Sequence, residues 1–269
     1  MHNIFFPPKD WTPQKNNPFT QYGTYDVSWS MFTLNCNLQG RYGIGKQGKG
    51  IFTLSVNPNY DDWKFRLGDF IQYETYYHRK IIVHIPEIQS PNFIIEKATQ
   101  NNFKGKKVRY TDDKWLVHST SLDLWRLIEE SGQIKSTRKL NEDGIEIVGI
   151  GIDPLGEPDD YNDYVMLDTL NGCSELVVSS RQKGKICTNG DVEYTPQVRM
   201  YFNAHKIIED GLGVRDGAHI LKIYRSLPLK PYLKKIYFEK DIPYIKGRKS
   251  WTPTLFTEEA NKWFYNSLK

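Results

Sequence analysis

The stretch WLVHSTSLDLWRLIEESGQIKS, Trp115 to Ser136, changes its period part-way. Up to Thr120 it reads as a strand. Trp115, Leu116 and Val117 are apolar, and alternation puts His118 on the face of Leu116. From Ser121 the spacing becomes helical, with Leu124, Leu127 and Ile128 as an inner stripe and Trp125 beside them. Ser119, Thr120 or Ser121 can cap that helix, Asp123 falls in its first turn where negative charge is favourable, and Gly132 is placed to close it in the left-handed conformation. Capping and amphipathicity account for the hydroxyls and the glycine. They account for His118 only as a histidine that ends a strand.

Outward from this stretch the chain reads mostly as strand. Runs rich in β-branched and aromatic residues, bounded by Gly, Pro and Asn, predict strands over Gly50–Val56, Arg79–Ile88, Ile145–Ile152, Asp163–Leu170, Glu175–Ser180, Gln197–Ala204 and Ala218–Tyr224. The segment FRLGDFIQYETYY, Phe65 to Tyr77, fits a helix or a strand, and Gly68 counts against the helix. Short helices are expected at Ser121–Ser131, His205–Asp210 and Thr257–Ser267, the last with Thr257 as cap and two acids behind it. Residues 1 to about 30 read as an arm laid over a domain, and the polar, basic segment Lys97–Asp113 reads as a boundary. The expected architecture is α+β and strand-rich with few helices: a β-rich N-terminal region, 1–105, then a second domain, 106–269, ending in a helix.

The balance of 36 basic against 32 acidic residues is only mildly positive, short of a dedicated DNA-binding domain. Two local excesses, Lys104–Arg109 and the C-terminal set Lys230, Lys234, Lys235, Lys240, Lys246, Arg248 and Lys249, fit solvated loops or a nucleic-acid partner, RNA or DNA. Three cysteines without a C-x-x-C pair speak against a disulfide framework and a Cys-rich zinc site. No apolar run reaches the length of a membrane span and the N-terminus lacks a leader pattern, so an intracellular, cytoplasmic protein without a membrane partner is expected.

GRYGIGKQ, Gly40 to Gln47, matches most of a phosphate-binding loop. That mechanism needs a Ser or Thr after the Lys and a helix behind it, whereas here Gln47 and a strand-like run follow. A Gly-rich hairpin between two strands is the expected structure.

Strand, His118, a small residue, Thr120, helix and Gly132 together resemble the first motif of the ADP-ribosyltransferase superfamily. Within it, Leu116-Val117-His118-Ser119-Thr120-Ser121, helix, Ser131-Gly132-Gln133 is similar to the L-Y-H-G-T-S, helix, E-G-L pattern of the RNA 2′-phosphotransferase family. Tyr164-Val165-Met166-Leu167 stands where that branch has an H-V-H-L strand, without either histidine. Val198–Leu233 repeats its order of strand, short helix, D-G hairpin at Asp210-Gly211 and apolar-Pro ending. The resemblance spans residues 112–235 and does not extend to the branch's Arg- and His-bearing signatures in residues 1–105.

The resemblance implies a split sheet of the ADP-ribosyltransferase type and NAD as cofactor. His118, Ser119 and Thr120 would orient the nicotinamide riboside. The resemblance places an aromatic against the nicotinamide; Tyr164, or Tyr161 near it, could stack on such a ring, the alternative for both being packing against the sheet. Arg181 and Arg215 would meet phosphates, the alternative for each being a solvated loop arginine. A carboxylate near the developing ribosyl cation is the useful catalytic group, for which Glu175, read at the start of a strand, precedes Glu193. In the phosphotransferase branch Arg and His do most of this work, because the substrate is an anionic 2′-phosphate. The acidic run Glu157–Tyr164 lacks the spacing of a calcium loop, His205 reads as the start of a short helix and His219 as a satisfied strand histidine, and no zinc-protease motif or nucleophile elbow is present, so no metal is expected. The expected function is NAD-dependent ADP-ribosyl transfer to a nucleic acid or an RNA 2′-phosphate. The alternatives are a non-catalytic nucleotide- or RNA-binding module on the same fold, and an interaction protein in which His118 only ends a strand.

Overall fold

The structure, a computed structural model, describes residues 3–8, 10–14, 17, 19, 23–85, 113–147, 155–218, 221–243 and 250–269. The chain divides into two units, one of residues 1–110, 151–161 and 215–219, the other of 111–150, 162–214 and 220–269.

The first unit holds β1 (Ile4–Phe5), β2 (Trp29–Leu34), β3 (Tyr42–Gln47), β4 (Ile51–Val56), α1 (Trp63–Tyr76) and β5 (Lys80–His84). They form one sheet in the order β1-β5-β2-β4-β3, parallel except for the β3–β4 pair. Its central strands are apolar and buried on both faces, as a covered parallel sheet requires. On one face Phe32 meets Phe70 of α1. On the other, Met31, Ile51 and Ile82 lie under Trp11, Tyr25 and Trp29. The ambiguous segment is helical because Leu67, Phe70, Ile71 and Glu74, three and four apart, all bury, and Gly68 buries with them.

GRYGIGKQ contributes β3 itself, and the turn comes after it, at Gly48–Gly50. Gly48 is required there: its φ is 53°, and a Cβ would stand 1.6 Å from the Pro13 carbonyl oxygen. The chain then enters β4, so this loop does not lead into a helix as a phosphate-binding loop does.

The second unit holds β6 (Trp115–Thr120), α2 (Leu122–Ser131), β7 (Gln133–Lys135), α3 (Thr137–Glu142), β8 (Tyr164–Leu167), α4 (Ser174–Lys183), β9 (Val198–Asn203), α5 (Ala204–Glu209), β10 (Gly213–Val214), β11 (Leu221–Tyr224), β12 (Ser226–Pro228), β13 (Leu233–Phe238) and α6 (Pro253–Asn266). Two three-stranded antiparallel sheets, β13-β9-β6 and β10-β11-β8, are joined, among the described residues, by one bridge between Val117 and Asp168, and β7 pairs separately with β12. Behind β6 and β9, Val117, Tyr201 and Tyr237 pack with Val178 of α4 and with Phe256, Ala260 and Phe264 of α6. On the opposite face Trp125 of α2 meets Phe238 edge-on. The molecule is α+β, with strands and helices in both units.

The opening stretch folds as its pattern predicts. Ser121 accepts from Leu124 N, and Gly132 closes α2 with φ 68°. Elsewhere the structure corrects the pattern. Glu175–Ser180 is not a strand but most of α4, in which Glu175, Val178 and Ser179 bury at helical spacing and Gly184 supplies the left-handed stop. Two adjacent valines imitate a strand, but burial follows the 3.6-residue period. The last helix starts at Pro253 with Thr252 as its cap, so Thr257 lies inside it and is buried. Ile145–Ile147 forms no strand, while 148–152, like 86–88, 97–112 and 244–249, lies outside the described residues together with the basic Lys104–Arg109, Lys246, Arg248 and Lys249. Lys230, Lys234, Lys235 and Lys240 are exposed, two of them on the edge strand β13, where lysines discourage pairing with another chain. No helix among the described residues is long and apolar enough to cross a membrane.

Candidate functional site

β6 pairs with β9 along its whole length on one side. On the other side, among the described residues, it is bridged where Val117 and Asp168, the residue after β8, exchange both backbone bonds at 2.8 and 3.0 Å. Continued antiparallel register would set Ser119 opposite Met166. The two sheets instead separate at that point, and His118 Nδ1 lies 3.1 Å from the Met166 carbonyl oxygen. A carbonyl only accepts, so Nδ1 carries the hydrogen and Nε2 keeps its lone pair. The imidazole thus takes up an acceptor that a strand partner would otherwise use, and its far nitrogen faces away from the seam.

Among the described residues, His118 Nε2 and the Thr120 hydroxyl make no hydrogen bond; His118 is half-buried and Thr120 is 5% exposed. The two side chains share one face of β6. They form a ledge that sets two polar atoms without a protein partner beside the point where the two sheets part. Burial, and then the nearby Arg181 charge, hold the His118 pKa below its usual value, against the Met166 carbonyl and the Glu175 carboxylate. The ring is therefore neutral at neutral pH, with Nε2 able to accept. Arg181 sits in the last turn of α4, before Gly184, not after a strand as expected, and burial lowers its own pKa.

Ser119 points to the other face. Its hydroxyl donates to Glu175 Oε1 at 2.5 Å, Arg199 Nη1 donates to the same oxygen at 2.9 Å, and the Tyr194 hydroxyl donates to Oε2. Glu175 is 2% exposed and Arg199 0%. Burial, followed by the carboxylate, raises the Tyr194 pKa well above its usual value and keeps the phenol a donor. Glu175 therefore does not stand at a strand edge: it opens α4, in the interior, with both oxygens engaged by three donors.

Tyr164 is buried on β8, with the Lys222 ammonium 4.6 Å from its ring centre and Tyr224 edge-on, so it packs the sheet instead of offering an open ring face. Tyr161 is buried in the first unit against Phe52 and Tyr73. Arg215 also belongs to the first unit, whereas His118, Ser119, Thr120, Tyr164, Glu175 and Arg181 belong to the second. Glu193 is exposed, and His219 lies outside the described residues. Among the described residues no group of three or more His, Cys, Asp or Glu side chains stands together as a metal site. Arg199, Tyr194 and Asn261 are absent from any sequence expectation. Only Arg199 left a signal, a charge inside the otherwise apolar run VRMYF. Comparison with protein-family models, with curated proteins and with solved structures finds no match to this chain.

Proposed function

We propose that the second unit binds NAD⁺ at the His118–Thr120 ledge and transfers ADP-ribose to an anionic acceptor of the RNA 2′-phosphate class. The observation that carries this reading is the pair of polar atoms without a protein partner, one of them near an arginine charge, with the glutamate withdrawn behind the strand. The donor set fits the group. Neutral His118 Nε2 can accept from a ribose hydroxyl, the Thr120 hydroxyl can donate to or accept from a sugar or carboxamide, and Arg181 supplies charge for phosphate.

Bound NAD⁺ would supply the ADP-ribosyl group and a nicotinamide leaving group. The chain's part is to orient and to neutralise. His118, held by the Met166 carbonyl, presents a fixed lone pair, and Arg181 balances phosphate charge. Glu175 is committed to Arg199, so the reading favours His and Arg chemistry on a phosphorylated acceptor over chemistry that depends on a free carboxylate. That same commitment supports a second reading, a non-catalytic nucleotide- or RNA-binding module.

The two are separated by incubating the protein with NAD⁺ and an RNA oligonucleotide carrying one internal 2′-phosphate, with the unphosphorylated oligonucleotide alongside. Nicotinamide release that requires the 2′-phosphate and disappears in His118→Ala is expected. Thermal stabilisation by NAD⁺ or RNA without release selects the binding module. No release and no stabilisation by either sinks both.

A further inference from the structure

The strand that carries His118 and Thr120 turns one side chain between them inward, Ser119, and that residue begins a chain of buried hydrogen bonds. From Glu175 the chain passes to Arg199, whose Nε donates to the Tyr201 hydroxyl at 3.0 Å and whose Nη2 donates to the Leu170 carbonyl at 2.5 Å and to Asn261 Oδ1 at 3.1 Å. The Tyr201 hydroxyl donates to the same Asn261 oxygen at 2.9 Å. Asn261 Nδ2 then donates to the Leu170 carbonyl and to Asn171 Oδ1, each at 2.9 Å.

Placed on the topology, these bonds run to both rims of the split sheet. Ser119 belongs to β6, one rim. Leu170 and Asn171 belong to the connection that leaves β8, the other rim, directly after Asp168 makes its bridge to Val117. His118 spans those same rims when its Nδ1 reaches Met166. A buried ion pair is a poor source of net stability, since apolar residues of similar volume often do as well. What such a network supplies is direction: Glu175 Oε1, Asn261 Oδ1 and the Leu170 carbonyl each accept from two donors, so none of these groups turns without breaking a second bond.

We infer that Arg199 and Asn261 are positioning residues that clamp the two rims of the split, through Glu175 and Ser119 on one side and Leu170 and Asn171 on the other, and thereby hold His118 as the Nδ1–H tautomer with Nε2 presented on the ledge. The C-terminal helix α6, which carries Asn261, is thus part of the site without touching it. The clamp is read from geometry, and only its consequence for NAD⁺ rests on the functional reading above.

The test uses the full chain, ¹⁵N-labelled, with imidazole nitrogen spectra recorded at one neutral pH. His118→Gln assigns the His118 signals by their loss. The wild type is expected to show His118 as a single tautomer, protonated at Nδ1. Ser119→Ala and Asn261→Leu are expected to fold and to show His118 as an exchanging mixture of tautomers, while Ser119→Thr, which keeps the hydroxyl, shows the wild-type pattern. Two variants guard against one failing to fold, since denaturant unfolding must be cooperative in whichever is scored. Folded variants whose His118 pattern matches the wild type overturn the clamp, and so does a mixture already present in the wild type. NAD⁺ titration runs in parallel, with the dissociation constant in Ser119→Ala expected to rise about tenfold, the scale of one charge-assisted hydrogen bond. Failure of the wild type to bind NAD⁺ removes the functional reading, whereas the tautomer pattern decides the clamp independently.

Discussion

Each unit buries an arginine with a glutamate and a tyrosine, and the two clusters do different work. In the first unit Arg79 pairs with Glu74 five residues earlier, and its Nη1 reaches Asp160 at 2.7 Å, while the Tyr73 hydroxyl donates to the same aspartate. Glu74 and Tyr73 end α1, and Arg79 follows the left-handed His78, φ 57°, on the way into β5. That cluster is a staple across a tight turn, tied to one distant carboxylate. In the second unit the partners of Glu175 lie 56, 19 and 24 residues away, on a strand, a loop and another strand. The lesson is in the spacing. A local pair fixes a turn, whereas a non-local one fixes how separate elements stand around an opening.

Removing one partner from each cluster is the harshest way to break that comparison. Glu175→Ala leaves Arg199 fully buried with no carboxylate, and a loss of about 3–5 kcal/mol in unfolding free energy is expected. Glu74→Ala leaves Arg79 its contact with Asp160, so about 1–3 kcal/mol is expected. Urea denaturation of both variants measures the difference, and equal losses would mean that Asp160 does not compensate. Burial raises the Glu74 pKa while Arg79 opposes it, so part of its cost at neutral pH is already met by Arg79.

Replacing both partners sharpens the contrast. Glu175→Leu combined with Arg199→Met removes the buried charges together, and stability is expected to return to within about 2 kcal/mol of wild type. The geometry does not return with it, because Ser119 loses its Glu175 acceptor and Asn261, though still bonded to Tyr201, Leu170 and Asn171, loses the Arg199–Glu175 link to Ser119. NAD⁺-induced stabilisation is therefore expected to stay lost in the double variant. A double variant that regains both stability and NAD⁺ response would show that the cluster acts only as packing.

This contrast also marks what the sequence could disclose. The period change at Ser121, the Ser121 cap and the Gly132 stop are local physics, and the structure shows all three. His118 was legible as the residue that capping leaves unexplained. Its partner was not, because a Met166 backbone carbonyl has no signature in residue type. Glu175 was misplaced because Val177-Val178 weighs toward a strand in a six-residue window, and only the burial of Val178 and Ser179 beneath it reveals the helix. Arg199 and Asn261 stand 62 residues apart, and no local period connects a strand arginine to a C-terminal asparagine. Arg215, from a segment that reads as continuous with the second domain, belongs to the first unit because the chain crosses between units there.

The gentlest way to separate the two regions is pH, because each holds a histidine whose pKa burial lowers. For His84 burial acts against a bond to the Trp11 backbone, and for His118 the Arg181 charge adds to burial. In the unfolded chain both titrate near the ordinary value of about 6.5. Above that pH both states are neutral and neither histidine changes stability. As pH falls below it, the unfolded chain takes up protons that the folded chain refuses, so stability declines until the folded rings titrate as well. Urea unfolding between pH 7 and 5 is expected to show this decline, and either His84→Gln or His118→Gln should flatten it. Ligand response divides them. On the proposed reading, protonation removes the Nε2 lone pair of His118, so NAD⁺-induced stabilisation is expected to hold while the folded ring stays neutral and to fall only at lower pH, as that ring itself titrates, and His84→Gln should leave that profile unmoved. If His84→Gln shifted the ligand profile as well, the ledge would not be the only titrating part of the proposed site, and the division of labour between the two units would have to be redrawn.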